Sequence, residues 1–178
     1  MPLIDGLSRK QMRLLALQAL IRAGTMAGDR VYEPRDWPTD PEFFPMLLVS
    51  TPRERKVPLH AGQLSFTTTV GLVVVGRLLG SMAETAEDDL DLFSDQVMEA
   101  LSLDPDFNVG IQQFAAIATQ SVVTAEGKYH VGEFGMSFEL TFYQSYGPTG
   151  PDLIDITGTI PVGNNPPIIF DVKREDTP

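Results

Sequence analysis

The chain has 178 residues, 43% of them hydrophobic and 21% charged, which suits one globular domain burying roughly 70% of its unfolded surface. Thirteen basic residues against twenty-four acidic ones give a formal net charge of −11, which argues against a nucleic-acid grip, because such a grip needs a basic surface to release counterions. Cysteine is absent, so disulfides, thiolate metal sites and cysteine nucleophiles are excluded.

In chain order, the first element is a helix from Ser8 to Ala23. Ser8 and Gln11 have the spacing of a capping box, and Gly24 and Gly28 end the helix. Leu14, Leu17 and Ile21 form one apolar stripe, while Met12, Leu15, Ala16, Ala19 and Ala23 lie around the other side. A helix apolar on two sides is either a central core helix or one held between its own sheet and a neighbouring subunit. Arg9, Lys10 and Arg13 ahead of an apolar run imitate a secretory leader. Asp5 within that basic region, Gln18 inside the run and Arg22 after it make a leader the weaker expectation. No segment has the ~18 consecutive apolar residues of a membrane span.

Val31-Tyr32 begins a short extended segment. Glu33 to Pro45 is rich in turn formers, yet it holds Trp37, Phe43 and Phe44. These aromatics either fold back onto the core or dock on a partner. Met46 to Val49 is a short apolar strand expected to be buried on both sides. Thr51 to Pro58 is expected to be an exposed loop, since Pro52 and Pro58 bracket Arg53, Arg55 and Lys56. In so acidic a protein this basic patch is a natural partner for an acidic face on a neighbour. Leu64 to Leu79 is a long strand, and Gly71 and Gly76 within it suit bulges or bends.

The second helix runs from Glu84 to Leu101 with one apolar stripe, Leu90, Phe93, Val97 and Leu101. Asp88, Asp91, Asp95 and Glu99 make its opposite side acidic. A β-hairpin from Ile111 to Tyr146 follows, clearest where Phe134, Met136, Phe138, Leu140 and Phe142 alternate with smaller or polar residues. From Gly147 proline and glycine crowd the chain, and Leu153–Ile156 and Ile168–Phe170 suit edge strands of an arm. The expected fold is α+β: a mixed or antiparallel sheet with two main helices on one face, a long projecting hairpin, and a Pro/Gly-rich arm. The expected division is a domain over 1–146 and the arm over 147–178.

No enzyme signature survives inspection. Gly71 and Gly76 have phosphate-loop spacing, but the lysine and hydroxyl that reach phosphate are missing. Asp104 to Ile111 starts like a calcium loop, but Val109 stands where the sharp turn needs glycine and Ala115 where the bidentate glutamate belongs. It reads instead as a helix-to-strand turn. His60 and His130, the only histidines, have no metal-spaced partner, and no nucleophile elbow is present. No catalytic residue, metal or cofactor is expected.

Several small features share one pattern. They are the Arg/Ala/Leu-rich opening helix, the Val31-Tyr32-Glu33-Pro34-Arg35 turn, the Pro45–Val49 strand and the long Leu64–Leu79 strand. The Asp89-Leu90-Asp91 opening of a helix that ends Val97-Met98-Glu99-Ala100-Leu101 and the closing Phe138–Tyr143 strand complete it. In these features, from about Arg9 to Tyr146, the chain resembles the phage tail terminator proteins, the minor tail protein U family of lambda-like siphophages and its relatives.

The resemblance implies a structural virion protein, assembled in the host bacterial cytoplasm and residing at the tail end. It implies a hexameric ring, monomeric until templated, that caps the tail tube, stops its polymerisation and offers a surface to the head–tail connector protein. DNA would pass through the lumen without specific binding. Another head–tail joining or tail-completion protein and, in a different class, a small ligand-binding domain remain as alternatives. The contact residues expected for a ring or tube are Arg53, Arg55 and Lys56 with the acidic Asp88, Asp91 and Asp95, and the aromatic Trp37, Phe43 and Phe44.

Overall fold

A computed structural model describes residues 5–34, 40–61, 64–80, 83–126, 129–147, 155–162 and 165–173. Contacts divide the chain into two compact units, Met1–Gly147 and Pro148–Pro178.

The opening helix α1 (Arg9–Ala23) starts at the expected capping box. The Ser8 hydroxyl accepts from the Gln11 amide at 3.2 Å, and the Gln11 side chain accepts from the Ser8 amide at 2.8 Å. Gly24, in the left-handed region at φ 64°, closes the helix. Met12, Ala16, Ala19 and Leu20 are fully buried, whereas Leu17 and Ile21 are only partly covered and Leu14 is exposed. One of the two apolar stripes therefore faces the core and the other lies at its margin.

Six strands form one mixed sheet: β1 (Asp5–Gly6), β2 (Val31–Tyr32), β3 (Met46–Pro58), β4 (Ser65–Gly80), β5 (Gln113–Glu126) and β6 (Tyr129–Ser145). The order across the sheet is β2-β3-β4-β6, with β1 and β5 sharing the far edge of β6. Only β2–β3 is parallel. β4 and β6 pair without a register break from Ser65 opposite Ser145 to Gly80 opposite His130. The expected hairpin is thus β5–β6, and β6 runs through the middle of the sheet rather than projecting from it. The strand at the margin is β5.

Thr51–Pro58 is the second half of β3 rather than a loop. Its prolines stand where a strand does not need the missing N–H: Pro52 at a bulge between Ser50 and Arg53, and Pro58 at the strand's end. Gly71 and Gly76 are not bulges either, because β4 stays in register with β6 across both. Gly76 lies opposite Phe134, whose ring covers it so closely that a Cβ has no room.

The helix α2 (Ala83–Leu103) and α1 pack on the same face of the sheet. Their buried residues Met12, Leu20, Leu90, Phe93, Val97 and Leu101 join Leu47, Val49, Val70, Leu72, Val74, Phe134, Phe138 and Phe142 in one core. Phe93 meets Phe134 edge to face at 5.3 Å between ring centroids. A short helix α3 (Pro105–Asn108) links α2 to β5, with Asp104 as its cap. In the second unit β7 (Asp155–Val162) and β8 (Asn165–Lys173) pair antiparallel, Asp155 opposite Lys173; Leu153 and Ile154 lie outside the described residues.

Candidate assembly surfaces

The helices cover one sheet face; the other carries paired charges and polar side chains beside an apolar stretch of Met46 and Leu48 on β3 and Val73 and Val75 on β4. Val49, Val70 and Phe138 point to the helices, so their chain neighbours point to the open face. That face carries Arg53 and Arg55 on β3, Thr69, Val73 and Arg77 on β4, and Glu133, Ser137, Glu139 and Thr141 on β6. Arg77 and Glu133 sit directly opposite and form an ion pair at 2.6 Å. Arg53 reaches over β4 to Glu139 on β6. Arg53, Gly71 and Glu139 lie in one row across the three strands, and Gly71 leaves the path between the charges clear. With Arg53 71% exposed, that bridge contributes no more than about 1 kcal/mol. Its consequence is to fix where the charges point.

The basic residues expected to act together are divided by the strand. Arg53 and Arg55 face the open side, while Lys56 faces the helix side, beside Thr68. There Lys56 bonds the Tyr146 hydroxyl, lies 5.0 Å from that ring's centroid and pairs with Glu54 at 3.6 Å. No ion pair involves Arg55 among the described residues.

Asp88, Asp91 and Asp95 are exposed on α2, away from its buried stripe of Leu90, Phe93 and Val97. Within one chain the structure does not bring them to Arg53 and Arg55, which lie on the other side of the sheet. Phe43 ends a 3-10 turn (Pro41–Phe43) and is exposed, and the Phe44 carbonyl accepts from the Arg30 guanidinium at 3.4 Å. Trp37 lies outside the described residues.

One hollow lies between the ends of α1 and α2, and another at the end of the sheet. The first, of about 680 Å³, lies beside Arg22, Thr25, Gln96 and Asp104. Three of its four charged residues, Arg22, Asp104 and Asp106, pair within the chain. Arg22 binds Asp104 through two oxygens at 2.7 and 2.8 Å and reaches Asp106 at 2.8 Å. Burial pushes the Asp104 carboxyl up, but bonds from the Phe107 amide and Arg22 outweigh it and hold the group below its ordinary value. The other hollow, of about 720 Å³, is an apolar groove at the end of the sheet bordered by Leu7, Leu59, Val109, Ile111 and Tyr143. No group of three metal-ligating side chains occurs among the described residues.

The two long sheet edges differ in kind. Beyond the two-residue β2, the edge of β3 carries a bulge, two prolines and four charges in a row from Arg53 to Lys56. These are devices that keep an edge from pairing indiscriminately. The edge of β5 carries none of the charges: from Gln113 to Ala125 there is no charged residue and no proline. Among the described residues it pairs with β6 alone, and Ile117 and Val122 are 40% and 56% exposed. In the sequence β5 reads as a strand, and its charge-free run is the signal that its edge is open. Comparison with protein-family models and with curated proteins finds no match.

Proposed function

We propose that this chain is a structural subunit of a phage tail, a terminator that closes into a ring on the end of the tail tube and stops its growth. The observation that carries the reading is the pair of unlike sheet edges, one charged and guarded, the other uncharged and open. A ring closes through heterologous contacts, so each subunit needs two different surfaces that fit one another. The open sheet face and the acidic side of α2 supply further surfaces for the tube and the head–tail connector. Another head–tail joining protein would use the same surfaces in a different order. The apolar groove bordered by Leu59, Val109 and Tyr143 is the feature on which a small ligand-binding domain would rest.

The test is light-scattering mass of the purified chain, followed by electron microscopy with tail tubes. The expected result is a ring at one tube end and tubes that no longer lengthen when tube subunits are added. A chain that never joins a tube, at any concentration, removes the reading.

A further inference from the structure

We propose that the ring is held by strand addition: the open edge of β5 in one subunit takes the charged edge of β3, Ser50 to Pro58, from the next subunit. This rests on the ring reading for the identity of the neighbour. It goes beyond that reading in naming the contact.

Strand direction is the first support. β3, β4, β6 and β5 are successive antiparallel neighbours, so β5 runs opposite to β3. A copy rotated about an axis along the strands keeps its directions, and it therefore brings β3 antiparallel beside β5. The same rotation repeated can close a circle.

Charge is the second support. Glu139 has a small residue on each side in the sheet, Gly71 on β4 and Ala116 on β5. Over Gly71 it already receives Arg53 of its own chain. Over Ala116 the path is equally short, and the next strand beyond β5 would be the neighbour's β3, whose Arg55 has no ion pair among the described residues. The carboxylate, only partly covered, is thus placed to accept an arginine from either side.

The same charges exclude the alternatives. Two β3 edges would set the open-face arginines, Arg53 and Arg55, against their own copies. Two β5 edges would bring together the acidic helices beside them, since Glu87 of α2 borders Ser121 to Val123. The unlike pairing is the one that avoids both conflicts.

The absence of native cysteine makes the contact directly testable. One full-length chain carries Gln113→Cys on β5, and a second, tagged chain carries Val57→Cys on β3, two open-face positions that come opposite one another when the neighbour's Arg55 stands beside Ala116. They are mixed with tail tubes and joined by a short bifunctional maleimide. Within one chain these strands are three strand spacings apart, about 14 Å, so a short linker reports the contact between chains. The expected product is the mixed dimer, with each chain alone giving at least tenfold less. A chain with both cysteines should give a ladder that ends at the ring.

A third chain, Ala118→Lys, places a guard on the open edge. It should cap at least tenfold fewer tubes with its unfolding temperature unchanged. Mixed dimers no more abundant than β5–β5 dimers, or normal capping by Ala118→Lys, would overturn the inference. Tubes capped by the parent chain without any β3–β5 product would overturn it too, while leaving the ring reading in place. β3–β5 products that grow into open chains, with tubes uncapped, would retain the inference and remove the ring reading.

Discussion

Gly76 and Asp104 show how much a single residue can decide in this fold. Gly76 has no room for a Cβ because the Phe134 ring lies over it, and that ring is in turn wedged against Phe93. Gly76→Ala should cost about 1–3 kcal/mol through overpacking. Gly135→Ala, where nothing lies within 4 Å, should stay within about 0.5 kcal/mol of the parent in urea unfolding. Equal losses at the two positions would contradict the packing described. Asp104 caps α3 through the Phe107 amide at 2.8 Å and holds Arg22. Asp104→Ala should cost about 1–2 kcal/mol, whereas Asp104→Asn keeps a capping oxygen. The folded-state pKa of Asp104 lies below its unfolded value of about 4. Its ionic contribution is therefore complete above that unfolded value and is lost as the pH falls through the folded one. The stability gap between the parent and Asp104→Asn should narrow from pH 7 to pH 3. A gap of the same size at both would show that the charge contributes nothing.

At the scale of elements, sequence and structure agree where the signal is local. The capping box at Ser8 fixes the start of α1, and the Leu90, Phe93, Val97 spacing fixes the buried side of α2. Strict alternation from Phe134 to Phe142 identifies β6. Agreement fails at Thr51–Pro58, where two prolines and four charges look like a loop until β4 is placed beside them. Gly71 and Gly76 are opaque for the same reason, since the residues that explain them, Glu139 and Phe134, lie some sixty residues further on. Of the candidate contacts, the charged residues were legible as charges, but which side of the sheet each one takes was not. Arg55 is now the cleanest probe of the β3 surface, because Arg53 is tied to Glu139. Arg55→Glu should change stability by under about 0.5 kcal/mol and sharply reduce the fraction of capped tubes seen by microscopy. Full capping would take the β3 edge out of the interface.

For the molecule as a whole, the net charge of −11 is unevenly placed. The α2 segment holds Glu84, Glu87, Asp88, Asp89, Asp91, Asp95 and Glu99 and no basic residue, whereas on the open face Glu133 and Glu139 are matched by Arg53 and Arg77. In the proposed ring, a bore lined by the sheet would be nearly neutral, and one lined by α2 would repel DNA. The assignment of charge to faces turns on the bulge between Ser50 and Arg53. Side chains along a strand alternate, so one extra residue exchanges odd and even positions for everything downstream. Were the strand to pair regularly past Ser50 instead, Pro52 would fall opposite Gly71, and Arg53 and Arg55 would exchange sides with Glu54 and Lys56. The bulge thus acts as a parity bit. Absorbing one uncharged residue in that bulge determines whether the open face offers a neighbour two arginines or a glutamate and a lysine.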